Sequence, residues 1–503
     1  MCGIAGIFHG NETNRVKMML EKIMHRGPDD HGIFSDSNIT LGHNRLTIID
    51  LYNGRQPMKN EDGRYWMIFN GEIYNYKSLR TELKNHNFAT NTDSEVIIHL
   101  YEELKEDCVN YLDGMFSLVI YDSIEKTIFM ARDPLGIKPL YYGYTEEGYL
   151  AFASEIKALQ VVTDDINEFP NGQTYTTKNG FSKYFTIEQD PINIKNADDI
   201  VDGLRLRLED SVRKRLVADV PVGVFLSGGL DSSLIAAIAS KYKKNLNSFA
   251  VGMEGSNDIK NARIVADYIG TIHHELIYTE DDVKKILPKV IYYLESCDPA
   301  LVRSAVATYF VSRLASRYVK VVLSGEGADE LFGGYHYLKN YSNNWEMHTE
   351  LRSITGNLHN SNLQRVDRMT MANSIEGRVP FLDTEMIHYA FKIKPSYKIT
   401  EKDKTEKWIL RKTAEEYLPD SIVWRRKEKF SIGTGTNEVL NSLAESEISD
   451  RYFAKNKKLA NGFEIKSKEE MYYYNILKKQ FTIDAFINEM GRSRSLDDFQ
   501  IYA

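Results

Sequence analysis

Apolar residues recur with two different rhythms along this chain, and the change of rhythm divides it. In the first third, residues 4–8, 66–69, 116–121, 127–131 and 150–153 are short apolar or alternating runs bounded by Gly, Asn or Asp, the pattern of strands. The runs 116–121 and 127–131 flank Asp122-Ser123-Ile124-Glu125-Lys126 and predict a hairpin. Helical spacing of apolar residues predicts helices over 16–24, 77–86 and 94–103. This mixture predicts an α+β unit of stacked antiparallel sheets with helices outside.

From 187 to 199 the chain turns polar and carries Pro191, Asn193 and Asn196, so the domain boundary is placed there, between units at 2–186 and 200–503. Beyond it, helix and strand alternate. Helices are expected over 200–217, 232–240, 262–269, 283–295 and 305–318, and strands over 220–226, 248–253, 274–278 and 320–324. That order predicts an α/β unit, a parallel sheet with helices on both faces. After Asn340 the pattern is largely helical, a helical tail.

The 503 residues are 42% hydrophobic and 27% charged, ordinary globular usage with ample core-forming capacity. The net charge of −8 argues against a nucleic-acid binder and favours small-molecule partners. Cys2, Cys108 and Cys297 are too far apart for a zinc ribbon or a disulfide scaffold. With no apolar leader and Asp231 interrupting the most apolar stretch, a cytoplasmic protein without a membrane span is expected.

Candidate chemistry is concentrated in three places. Ser227-Gly228-Gly229-Leu230-Asp231-Ser232-Ser233 follows an apolar strand and opens an apolar helix. Glycines there let backbone N–H groups approach an anion closely at a helix start. Asp231 would repel a phosphate and makes sense as a Mg²⁺ ligand. A second strand end, Ser324-Gly325-Glu326-Gly327-Ala328-Asp329-Glu330-Leu331-Phe332-Gly333-Gly334, clusters three acids among four glycines, where strand C-termini form a ligand crevice. Cys2, once Met1 is removed, would hold a thiol and an α-amine of pKa ~7.7–8.0 in one residue, nucleophile and base together.

SGGxDS after a strand resembles the pyrophosphate loop of ATP pyrophosphatases. Cys2-Gly3-Ile4-Ala5-Gly6 resembles the start of class II, N-terminal-nucleophile glutamine amidotransferases. The companion motifs follow in order: His25-Arg26-Gly27-Pro28-Asp29, Arg45-Leu46-Thr47-Ile48-Ile49-Asp50, Asn70-Gly71-Glu72-Ile73-Tyr74-Asn75 and Thr92-Asp93-Ser94-Glu95. With Phe249-Ala250-Val251-Gly252, Glu376-Gly377-Arg378-Val379-Pro380-Phe381-Leu382-Asp383 and Trp424-Arg425-Arg426-Lys427-Glu428-Lys429-Phe430, the chain from Cys2 to about Gly433 resembles the glutamine-hydrolysing asparagine synthetases.

The resemblance implies an Ntn-hydrolase-like first domain, an ATP pyrophosphatase-like second one, and a homodimer. Cys2 would form a glutamyl thioester, with Asn70 and Gly71 as oxyanion hole. Glutamine would be held by Arg45, Leu46, Thr47, Ile48, Ile49, Asn70, Gly71, Glu72 and Asp93, the arginine taking the α-carboxylate and Asp93 the α-ammonium. ATP would be held by Leu226, Ser227, Gly228, Gly229, Asp231, Ser232, Ser233, Val251, Ser324 and Gly325. Asp231 and Asp329 would be Mg²⁺ ligands, Glu326 the acid at the aspartyl-adenylate, and Lys427 the neutraliser of the departing pyrophosphate. Arg378 and Asp383 are candidates for substrate recognition, or equally a salt-bridged turn. Two departures stand out: Ser431-Ile432-Gly433 where relatives commonly have Ser-Asp-Gly, and Ser94 where they often have Cys. An amidotransferase of this architecture acting on another carboxylate stays open.

Overall fold

The structure, a computed structural model, describes residues 1–187, 196–427 and 430–492. In chain order its first strands are β1 (Gly3–Phe8), β2 (Asp30–Ser35), β3 (Ile39–Arg45), β4 (Met58–Lys59), β5 (Tyr65–Ile73), β6 (Gly114–Asp122), β7 (Thr127–Arg132), β8 (Tyr141–Tyr144), β9 (Leu150–Ala153), β10 (Asn167–Glu168), β11 (Gln173–Thr176) and β12 (Gly180–Lys183). They form two six-stranded sheets, ordered β10-β8-β9-β1-β3-β2 and β12-β11-β7-β6-β5-β4. Neighbours run antiparallel throughout, and β6 and β7 make the expected hairpin. Ile4, Ile68, Val119 and Phe152 share one buried apolar cluster, so the two sheets face each other. The helix Thr13–Lys22 lies against β3. A Cβ at Gly42 would come within 2.6 Å of Val16 Cγ1, so glycine permits that approach.

Two expectations are corrected here. The helix expected over 77–86 is Tyr76–Glu82: Leu83 turns into the core, and the polar 84–87 segment makes turns instead. The pattern also missed β2, β3 and the short polar strands, because Asp30, His31 and Asn44 break the apolar alternation.

Beyond the linker, β13 (Val222–Phe225), β14 (Asn247–Gly252), β15 (Ile272–Ile277), β16 (Val321–Leu323) and β17 (Glu376–Arg378) form a parallel sheet ordered β15-β14-β13-β16-β17. The helix Ala197–Arg215 starts ahead of the expected 200 because the Asn196 side chain accepts the Asp198 N–H as a cap. Most of the polar stretch assigned to the boundary, 188–195, lies outside the described residues. Among the described residues no helix is long and apolar enough to cross a membrane.

Charged side chains join the two halves in the interior. The Arg26 guanidinium donates to Glu155 at 2.7 Å and to Asp367 at 2.8 Å, while its Nε donates to the Cys2 carbonyl at 3.0 Å. Arg368 pairs with Glu155 at 3.0 Å and with Glu295 at 2.9 Å. Lys157 bridges the same two glutamates. Glu155, Arg26, Glu295 and Arg368 are all fully buried. Removing one member of a buried pair strands its partner, at a cost of about 3–5 kcal/mol, whereas exposed pairs contribute about 0–1. Arg26→Met is therefore expected to lower the thermal midpoint well below that of Lys320→Met, which breaks the half-exposed pair with Asp29 and a hydrogen bond to Thr47. Melting curves of both variants against the wild type check this.

Candidate active sites

Strand register assembles the first site. Gly3 pairs with Asn44 across β1 and β3, which carries Cys2 beside Arg45. Strand β5 brings Asn70, Gly71 and Glu72 in sequence. The Cys2 N–H donates to Asn70 Oδ1 at 3.0 Å, and a Cβ on Gly71 would lie 2.2 Å from the Met115 carbonyl. Arg45 donates to the Asp50 carbonyl at 2.6 Å. Asp93 precedes the helix Glu95–Leu104, and its Oδ2 accepts the Ile73 N–H at 2.9 Å.

The electrostatics of this pocket are set by burial. Burial pushes the Cys2 thiol above its usual value, opposed by the Met1 ammonium, a Leu46 backbone bond and Arg45. Burial likewise drives Asp93 up to about 6, against the Ile73 hydrogen bond. With Met1 in place, its ammonium sits 3.0 Å from Glu376 Oε2 with neither group exposed. Leu46, Ile48 and Ile49 are buried around the pocket. Thr47 uses its N–H and hydroxyl on Asp29.

The second site lies where β13 and β16 end side by side. Val224 pairs with Leu323, so the turns that follow both strands meet. After β13 the chain turns through Gly228 at φ +68°, where a Cβ would strike the Asn261 backbone at 2.4 Å. Ser232 Oγ accepts the Ser227 N–H at 3.2 Å and bonds the Ser227 hydroxyl at 3.0 Å, bracing the loop. The buried Ser233 hydroxyl has no partner. Gly325 packs on the start of the helix Leu230–Tyr242, its Cβ position 2.8 Å from the Ser232 nitrogen. Leu226 and Val251 are buried beside the loop. Ser324 donates its N–H to the Arg378 carbonyl at 2.8 Å.

Four charges fill the crevice between those loops. Lys407 Nζ donates to Asp231 Oδ2 at 2.6 Å and contacts Asp329, which Lys427 also pairs with. Burial works against the Asp329 carboxylate, but the two lysines hold it well below the usual range. Asp231 is raised, by burial first and by Asp329 beside it, against the pull of Lys407. Glu326 accepts from Arg365 at 2.6 Å. Glu330 contacts the Tyr335 hydroxyl, leaves Oε2 unpartnered, and is pushed up to about 7 by burial and by Asp329.

Residues 1–201 match the glutamine amidotransferase domain family, and residues 203–361 and 346–481 match the asparagine synthase family. A glutamine-hydrolysing asparagine synthetase of Triphysaria versicolor is 39% identical, covering 96% of this chain and 86% of its own length. The chain belongs to the glutamine-hydrolysing asparagine synthetase family. Arabidopsis thaliana asparagine synthetase 2 is 38% identical over 96% of this chain and 88% of its own, and a probable asparagine synthetase of Dictyostelium discoideum 38% over 90% and 89%.

In this family member the folded chain brings Cys2 beside Asn70 and Arg45 and ties Asp93 to the end of β5, while the Thr47 side chain faces Asp29 and Glu72 pairs with Arg378. It also sets Asp231, Asp329, Glu326 and Lys427 around one crevice. Arg378 and Asp383 behave as the salt-bridged turn. Arg378 pairs with Glu376 and Glu72, and Asp383 with Arg215 and Lys214. Ile432 is 55% exposed. Lys407, Arg365 and Glu330 were missed. Glu330 lay in plain view within the acidic motif, but Lys407 carries no local signal except a φ of +55° that only structure reveals.

Lys407→Met would leave Asp231 and Asp329 facing each other without the shared cation. Since Asp329 is depressed in the folded state, its stabilisation is present above about pH 4 and lost as the carboxylate protonates. The variant should lose about 3 kcal/mol at pH 7, with the deficit shrinking at acid pH. Melting curves of both proteins between pH 7 and about pH 2 measure that convergence, which sets in only below the reference carboxylate pKa of about 4.

Proposed function

We propose that this protein is a glutamine-dependent asparagine synthetase, converting ATP, L-aspartate, L-glutamine and water to L-asparagine, L-glutamate, AMP and diphosphate. One observation carries the reading: a single chain couples Cys2, beside Asn70 and Gly71, through Arg26 to Asp367 on the helix Asn362–Met371, whose Arg365 holds Glu326.

With Met1 removed, the Cys2 nitrogen becomes an amine near neutral pKa, 3.0 Å from Asn70 Oδ1. It takes the thiol proton, and Sγ attacks the glutamine amide carbon. Asn70 Nδ2 and the Gly71 N–H stabilise the oxyanion. Ammonia leaves, and water hydrolyses the thioester to glutamate. Arg45 holds the substrate carboxylate, with Leu46, Ile48 and Ile49 walling the pocket. Asp93 takes the substrate ammonium, and the neighbouring Glu72 is held by Arg378.

In the second half, the loop from Leu226 to Ser233 cradles the triphosphate, with Val251, Ser324 and Gly325 along the nucleotide. The aspartate β-carboxylate attacks the α-phosphorus and diphosphate leaves, its charge met by Lys427. Ammonia that crosses the seam unprotonated then attacks the β-aspartyl-AMP carbonyl and expels AMP. Glu326, held by Arg365, accepts a proton from the attacking nitrogen. Mg²⁺ fits the crevice: Asp231 and Asp329 share one lysine, Asp231 Oδ1 has no partner, and both offer hard oxygen donors. When bound, Mg²⁺ would neutralise phosphate charge. Widely spaced free cysteines fit a reducing, cytoplasmic setting, and the family resemblance is the ground for a homodimer.

The deciding experiment measures which carboxylic acid stimulates glutamine-dependent AMP release. Aspartate should do so, and ADP as product would overturn the reading. Cys2→Ala should abolish glutamate release while ammonia-driven asparagine formation continues. Glu326→Gln should do the reverse, lowering asparagine output by about 10²–10⁴ with glutamate release intact. Because burial pushes the Asp93 carboxyl up to about 6, the KM for glutamine should rise as pH falls through that value. Asp93→Asn should show a high KM at every pH in the same glutamate-release assay.

A further inference from the structure

Away from both sites, three segments of the first domain converge on a group of side chains that the reaction does not use. Glu61 lies in the turn between β4 and β5, His86 in the segment after the helix Tyr76–Glu82, and His99 and Glu102 one turn apart on the helix Glu95–Leu104. One donor atom from each of the four falls within 4.8 Å of the others. Both histidines aim Nδ1 inward. His86 Nδ1 is 3.1 Å from Glu61 and 3.7 Å from Glu102, and His99 Nδ1 is 3.3 Å from Glu61 and 3.2 Å from Glu102. Four donors on ~2.1 Å bonds around one tetrahedral ion stand about 3.4 Å apart; both imidazoles approach that spacing from Glu102 Oε2, and Glu61 turns Oε1 to His86 and Oε2 to His99.

The outward nitrogens are also arranged. His86 Nε2 faces Glu103 at 3.3 Å, and His99 Nε2 faces Glu95 at 3.7 Å without forming a hydrogen bond, although His99 is 1% exposed. A carboxylate behind each ligating imidazole is the arrangement that fixes the tautomer and strengthens the donor at a metal. Glu95 is itself anchored by the Ala89 and Thr90 N–H groups at 2.6 and 2.7 Å.

Charge balance points the same way. Four carboxylates surround two imidazoles, so even two imidazolium ions leave two negative charges. Among the described residues no lysine or arginine pairs with Glu61, Glu95, Glu102 or Glu103. A divalent cation supplies the missing charge. Two imidazoles with two carboxylates suit a borderline ion of the zinc type better than Mg²⁺ or Ca²⁺. Glu61 is exposed and His86 half-buried, which gives an ion a way in.

We propose that Glu61, His86, His99 and Glu102 form a binding site for a divalent transition-metal ion, Zn²⁺ by its donor set. The ion clamps the β4–β5 turn and the 83–94 segment to the helix Glu95–Leu104. The assignment stands on this geometry whether or not the synthetase reading holds.

The test titrates Zn²⁺ alone into chelator-treated full-length protein by calorimetry, with Mg²⁺ present throughout to occupy the carboxylates of the other domain. Wild type should bind about one Zn²⁺ per chain more than either His86→Asn or Glu61→Gln. Both substitutions lie outside the core, and a melting curve in chelator confirms that each variant folds. Zn²⁺ should also slow amide exchange over 87–93 in the wild type and in neither variant. Equal Zn²⁺ uptake by wild type and a folded variant, or no uptake by wild type, overturns the proposal.

Discussion

A guanidinium deprived of water is tolerated only where carboxylates and carbonyls meet its donors, and Arg26 meets that condition with partners from both halves of the chain. Glu155 comes from the first half and Asp367 from the second, while Nε holds the carbonyl of Cys2. Neither half alone could bury these charges without stranding one. The reactive end of the first domain is thus tied electrostatically to the helix Asn362–Met371 of the second.

The crevice at the ends of β13 and β16 shows the opposite use of charge. Asp231, Asp329, Lys407 and Lys427 neutralise one another without bound substrate. On the proposed reading, a triphosphate here would compete with the aspartates for the lysines, and a Mg²⁺ ion with the lysines for the aspartates, two exchanges that complement each other. The serine-braced loop needs no comparable rearrangement, because Ser227 and Ser232 already fix each other.

Much of this was legible in the sequence, for identifiable reasons. The β6–β7 hairpin, β9 and the alternation after residue 200 rest on local apolar patterning, which register and packing then reinforced. The motifs around Cys2, Asn70, Asp93 and Asp231 are contiguous, so their order along the chain was visible. β17 was not: it is three residues long, two of them charged, and it is a strand only because Glu376 and Arg378 find buried counter-charges. Lys407 was hidden similarly, since its partner Asp231 is 176 positions away. The cluster of Glu61, His86, His99 and Glu102 was dispersed because the pattern runs a helix through His86, and a loop is what turns it toward His99.

That same short strand limits how freely the two halves can be recombined. On β17, Glu376 and Arg378 reach toward Met1 and Glu72, while Gly377 between them leaves only 3.0 Å from its Cβ position to Val366. A one-residue slip would turn both charges toward the helix and the empty position toward the first domain. A glutaminase half transplanted from a different protein would therefore leave Arg378 paired with Glu376 alone unless it brought its own equivalent of Glu72. The two halves are thus matched to each other at this strand, and joining a foreign glutaminase half to it would not by itself restore the contact.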